Sequence, residues 1–520
     1  NHYLKMAKEQ KDNLFLLIKS LTKSEKRQFK LYVGRIDGNT ESKFLNLFTV
    51  LEKLPAYDEA LILKMGIVNK QQLANVKTHL YKQILISLKL NPSHQNIRSK
   101  IREQLDFASI LYHKGLYRQS LSILDKAKAI AIQNEEKNLA YEIVELEKVI
   151  ESQYITRSIS TRADELTYQA SELSELNSIA SNLSNLSLQL YSFILQSGYV
   201  KNDEERKKIT EYFKKYLPEV HLNNMGFREK LWLYKAYLWY SFLMQDFLNC
   251  YKYSLKWVNL FYKNPKMINL NPVFFLKGNN YLLESLFFAK NKKKFEITLA
   301  DFEDLIVSKT FPKDENIEAL SFLYLNLNKT NIHLIDGSFE DGLVIIPSIE
   351  SNLKYFKSRI DEHYIMTFYY KFACLHFGAG NNKKCIEYLE KIISNKSLSI
   401  RKDLLCFSRI LNLFAHYEAG LDYHFETLLK STYKFLIKMD DLYEVQREMI
   451  KFIKGLQNIY PHDIKKAFKS LHETLKKYEN HPYERRAFLY LDIISWLESK
   501  IDNIPVAQVI KTKYKANLNK

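Results

Sequence analysis

The chain has 520 residues and carries only 13 glycines and 10 prolines, with 35 tyrosines, 31 phenylalanines and a net charge of +18. β-Hairpins and phosphate-binding loops both consume glycine, so so little of it favours an all-α architecture and argues against a nucleotide-binding α/β fold. The charge is uneven. Residues 1–100 hold 18 Lys/Arg against 8 Asp/Glu, a net of +10, and such a segment attracts nucleic acid, anionic lipid or an acidic protein.

Residues 1–97 read as a separate basic helical domain. Asn13–Leu21 is apolar, and Thr22 followed three residues later by Glu25 is the pattern of a reciprocal N-terminal cap on a second helix running to Val33. Gly34–Thr40 reads as a turn. A third helix over Ser42–Leu54 has Phe44, Leu47, Phe48 and Leu51 at helical spacing and stops at Pro55. A short helix over Tyr57–Met65 and a long one over Lys70–Leu90 follow, and Asn91-Pro92-Ser93 closes the domain. The stretch from Tyr57 to Lys82 has the outline of a helix-turn-helix. Read so, Lys70, Gln71, Gln72, Asn75 and Lys77 are candidate nucleic-acid contacts, because polar side chains on such a second helix reach base edges and lysines meet phosphate.

From residue 98 the sequence changes character. In Leu105–Ile130 a small residue (Ala108), a turn glycine (Gly115), an aromatic (Tyr117), Ser120, Leu124 and Ala127 fall at offsets 0, 7, 9, 12, 16 and 19. Small residues where two helices approach and bulky ones between them are what helix-on-helix packing requires. Comparable turns recur. Taking 117, 199, 247, 295, 339, 382 and 423 as anchors, the separations are 82, 48, 48, 44, 43 and 41 residues. The first gap holds about two repeats, with Ile155–Ala163 as its inner turn. Offset +3 carries Ser120, Cys250, Thr298, Gly342 and Cys385, and offset +7 carries Leu124, Phe302, Ile346, Leu389 and Leu429.

Residues 98–440 therefore resemble a tetratricopeptide (TPR)-like α-solenoid of about eight helical hairpins, with a period near 44 in place of the usual 34. Residues 441–506 are expected to be C-terminal capping helices, with Phe488, Leu491, Ile494 and Trp496 covering the last hairpin, and 507–520 a basic, frayed tail. In Leu21–Lys30 and Arg486–Ile501 the chain also resembles TPR-like proteins of Bacteroidota. The resemblance implies a protein- or peptide-binding scaffold or adaptor with a groove lined by the first helix of each hairpin. Candidate groove residues are Ser109, Tyr112 and His113 in one hairpin and Tyr370, Cys374 and Phe377 in another. The alternative is a DNA-binding regulator with the helix-turn-helix-like unit joined to a sensor array. A third is an RNA- or ribosome-associated factor using basic turns such as Lys290–Lys294.

No nucleotide-binding, zinc-protease or serine-hydrolase motif is present, so no enzyme activity, cofactor or metal is expected. Cys250, Cys374, Cys385 and Cys406 form no CxxC pair and read as core residues of a cytoplasmic protein. No apolar run is long enough to span a membrane.

Overall fold

A computed structural model describes residues 12–35, 40–154, 161–395, 402–420, 425–438, 444–456, 460–485, 487–490 and 492–518. Among these the structure is all-helical, with helices adjacent in sequence packed on one another. The chain forms two compact units, residues 1–160 and 161–520.

The first unit begins with α1 (Asn13–Ser20), α2 (Lys23–Val33), α3 (Thr40–Lys53), α4 (Glu59–Lys64) and α5 (Lys70–Lys89). The cap on α2 forms as the sequence predicts: the Glu25 amide donates to the Thr22 hydroxyl and the Thr22 amide to the Glu25 carboxylate at 2.7 Å. Leu47, Phe48 and Leu51 join Ile18, Phe29, Leu80 and Ile84 in one apolar core. Next come α6 (Ile97–His113), α7 (Tyr117–Gln133) and α8 (Lys137–Gln153), each packed on its neighbour. Ala108, Ser120, Leu124 and Ala127 are all buried, and the Ser120 hydroxyl donates to the Ala108 carbonyl at 2.7 Å. The expected turn at 155–163 falls largely outside the described residues.

The second unit opens with α9 (Arg162–Ser197), one continuous helix of 36 residues. Two helices are expected there from the repeat spacing. With no glycine or proline in that stretch, nothing in the backbone interrupts it. Then come α10 (Asp203–Tyr216), α11 (Phe227–Leu243), α12 (Phe247–Lys263), α13 (Lys266–Leu270), α14 (Pro272–Phe288), α15 (Lys292–Val307), α16 (Glu315–Asp336), α17 (Phe339–Phe356), α18 (Glu362–Gly378), α19 (Asn382–Ile393), α20 (Lys402–Glu418) and α21 (Phe425–Lys438). The pairs α11–α12, α14–α15, α16–α17, α18–α19 and α20–α21 pack as hairpins, and the first helices of successive hairpins touch: α14 with α16, α16 with α18, α18 with α20.

The hairpin turns share one construction. In Lys114–Leu116, Asn134–Glu136, Met244–Asp246, Ala289–Asn291 and Ala379–Asn381 three residues join two helices, and the middle one is left-handed. In each, the third residue's amide reaches back five residues, as Leu116 does to the Leu111 carbonyl at 2.9 Å and Asn381 to that of His376 at 2.8 Å. This loop satisfies carbonyls that the ending helix leaves open. Asp246 and Asn291 then cap the next helix through their side chains. α15 starts at Lys292, three residues before the expected anchor Phe295, so Phe295 itself is buried against the partner helix.

The C-terminal elements are α22 (Glu444–Leu456), α23 (Ile464–Lys476), α24 (Ala487–Tyr490), α25 (Ile493–Asp502) and α26 (Val506–Leu518). Trp496 does meet the last hairpin: it packs edge-on against Phe414 on α20, ring centroids 4.6 Å apart, and its Nε1 donates to Glu418 at 2.8 Å. Leu491 lies outside the described residues. The segment also folds back along the earlier turns. Gln245 Nε2 donates to the Tyr483 carbonyl, the Arg485 guanidinium lies 4.5 Å from the Phe247 ring, and Lys290 faces Asp492 at 3.7 Å. The stretch expected to fray is helical, and α26 packs on α16.

Candidate binding face and cavity

The two sets of candidate groove residues lie in different units and in different environments. On α6, Ser109 and Tyr112 are half-buried and His113 is exposed. The Tyr112 hydroxyl accepts from Gln153 Nε2 at 3.0 Å, and its ring sits 5.9 Å from that of Tyr117. On α18, Tyr370, Cys374 and Phe377 are all buried. α18 is flanked by α16, α17, α19 and α20, which leaves these three as packing residues rather than an open lining. Burial pushes the Cys374 thiol up to about 12, so it stays protonated at neutral pH. All four cysteines are buried, and none is in a disulfide.

A polar track runs across the first helices instead. Asn328 on α16 donates to Asn280 on α14 at 2.9 Å, Asn331 donates to Asn328 at 3.2 Å, and Lys371 on α18 donates to Asn331 at 2.5 Å. Buried amides without partners would be costly, so the chain of bonds fixes these side chains in one arrangement. Asn328 also donates to the Tyr324 carbonyl one turn earlier. Near this track Tyr324 is buried and Tyr281 half-buried, and loss of solvent raises both phenols above their ordinary value. The signal available in the sequence was the run Asn326–Asn331, which puts five polar residues into a helix otherwise dense in Leu and Ile.

Two lysines lie on α11 and α14. Lys235 and Lys277 are half-buried. The Lys235 ammonium stands 4.5 Å from the Trp232 ring and 5.6 Å from that of Phe274, two rings in edge-to-face contact at 5.5 Å. Gly278 lets α14 approach α12 here: a Cβ at 278 would fall 2.7 Å from Trp257 Nε1, which donates to the Phe274 carbonyl.

A cavity of about 570 Å³ lies where α25 and α26 meet the turns at Gly337 and Gly380. Its walls include Phe339, Glu340, Asp341, Asn382, Lys500 and Lys511. Lys500 is held by Glu418 at 2.5 Å. Two lysines of the basic turn are also engaged: Lys292 pairs with Asp336 at 2.7 Å, and Lys294 lies 5.4 Å from the Tyr251 ring.

In the first unit, Lys70, Gln71, Gln72 and Asn75 are exposed on the first turns of α5, while Leu73 is buried. Lys77 differs from them. Its ammonium is bonded to Asp12 and, at 2.8 Å, to the Tyr57 hydroxyl, so it ties α5 to the residues before α1 and α4. Among the described residues no cluster of His, Cys, Asp and Glu has the geometry to hold a metal ion, and no helix is long and apolar enough to cross a membrane. No family model, curated protein or solved structure matches the chain.

Proposed function

We propose that the chain is a non-enzymatic scaffold or adaptor that binds a segment of a protein partner, built as a TPR-like α-solenoid and working in the cytoplasm. The reading is carried by the polar track from Asn280 through Asn328 and Asn331 to Lys371. Asn328 and Asn331 are buried, so the track holds the touching helices in register, and the half-buried Asn280 and Lys371 at its ends are the groups that can meet a partner's backbone. The shared turn construction and the contacts between successive first helices support the repeat architecture. Four cysteines outside any disulfide support a reducing compartment.

The test is photo-crosslinking in the source cells, with a benzophenone amino acid placed in turn at Val273 and Asn326 on the first helices and at Val344, which is 77 % exposed on α17. One dominant adduct from the first-helix positions and none from Val344 is expected. Equal labelling from all three, or chaperones alone, removes the reading. DNA binding by the first unit draws support from the exposed run Lys70–Gln72 and Asn75. It predicts a salt-sensitive shift of duplex DNA that is lost when Lys70 and Gln71 are replaced by alanine.

A further inference from the structure

Lys77, Lys128 and Lys292 are each taken partly or wholly out of water, and each has a carboxylate within ion-pair distance. Lys235 and Lys277 have none among the described residues. Of the charged groups on α11 and on the helices around it, Lys277 is the one whose field reaches Lys235, and it is of like sign. Burial and then Lys277 push the Lys235 ammonium down to about 8, and burial also lowers Lys277. A desolvated cation without a counter-charge is unfavourable, and a second cation beside it compounds the cost. The protein nonetheless holds Lys235 against an aromatic wall, Trp232 and Phe274, on the first helices of two neighbouring hairpins, with Lys277 on the second of those helices.

We infer that Lys235 and Lys277 form an anion-binding site that takes an acidic segment of a protein partner. The inference rests on the scaffold reading and names the chemistry of its ligand. A carboxylate between the two ammonium groups supplies the missing counter-charge, and the half-buried, low-dielectric setting strengthens each charge-assisted bond. Trp232 and Phe274 give the apolar stem of a Glu side chain a surface to lie on. Two enclosed cations are too few for a nucleic-acid strand, which needs a continuous, exposed basic track.

The experiment uses the full chain and a fluorescein-labelled peptide of twelve Asp, Glu and Gly residues, followed by fluorescence anisotropy. Controls are the Asn/Gln version of the peptide, inorganic phosphate and a twelve-nucleotide single-stranded DNA as competitors. The acidic peptide is expected to bind saturably at pH 7 and the neutral one at least tenfold more weakly. Lys235→Gln and Lys277→Gln should each weaken binding at least tenfold, while Lys235→Arg retains it and Lys293→Gln, an exposed lysine elsewhere, leaves it unchanged. Affinity should fall as pH rises from 7 to 9.5, where Lys235 loses its proton. Equal binding of the neutral peptide, indifference to both Gln variants with helicity intact by circular dichroism, or stronger competition by DNA or phosphate than by unlabelled peptide overturns the inference. A face-specific crosslink to a partner with no acidic segment overturns this inference while leaving the scaffold reading in place.

Discussion

Lys128 in the first unit and Lys235 in the second are the same residue drawn out of water in two different ways. Lys128 on α7 meets Glu147 on α8 at 2.6 Å, with side chains 9 % and 0 % exposed. That pair is closed: each charge neutralises the other, and its work is to join two helices. Lys235 has aromatic rings and another lysine for company. A buried ion pair contributes little net stability yet is costly to break, whereas an unpaired cation is a standing cost that a ligand can remove. One lysine marks architecture and the other marks a place where something binds.

Breaking the closed pair gives the largest effect. Glu147→Ala strands Lys128 and is expected to destabilise by about 3–5 kcal/mol, read from the urea transition of the full chain. Adding Lys128→Met should restore most of that loss; if it does not, the pair is more than a mutual neutralisation. Gly278→Ala drives a methyl into Trp257 and should cost about 1–3 kcal/mol. Because Lys277 rides on the same helix, acidic-peptide binding should weaken with it.

Lys235→Met should act in the opposite direction, raising stability at pH 7 by about 1 kcal/mol. The pH dependence fixes the sign. The folded Lys235 titrates near 8 and the unfolded one near 10.5. Between those values the unfolded chain binds more protons, so wild-type stability rises with pH across that window and the advantage of the Met variant shrinks. Below about pH 8 the penalty is full and constant. A Met advantage that grows with pH would overturn the assignment. The smallest effect concerns Lys290, which is left-handed at φ 50° and pairs only loosely with Asp492. Lys290→Gly should stabilise by about 0.5–1 kcal/mol in thermal melts.

The turns that glycine marks were legible: Gly115, Gly337, Gly380 and Gly420 all have positive φ. The turns at Glu135, Gln245 and Lys290 use the same geometry without glycine. The ones at Gln245 and Lys290 showed through the residues beside them, Asp246-Phe247 and the polar Lys290–Lys294 run. The turn at Glu135 has no glycine and falls outside the anchor series, so nothing in the spacing marks it. The small and bulky positions around Ser120, Cys250, Leu124 and Leu389 were legible because burial selects size. The candidate binding face was not. Tyr370 and Phe377 share a pattern with exposed groove residues, and only the helices around them decide that they are buried. Lys235 and Lys277 look in sequence like any other lysine on a helix. Their distinction is that no carboxylate among the described residues pairs with them, which no local pattern encodes.

The fold-back of the C-terminal segment orders events in time. Gln245 and its partner Tyr483 are 238 residues apart, and Asp203 and Tyr483 are 280 apart. At roughly 5–20 residues per second, a ribosome needs on the order of 10–50 s to deliver Tyr483 after Gln245 has emerged. Hairpins whose own contacts are local can close during that interval, but the edge formed by their turns waits uncovered. Over that period the nascent chain presents a surface that the finished protein hides, and a chaperone that reads it would sense how far synthesis has progressed.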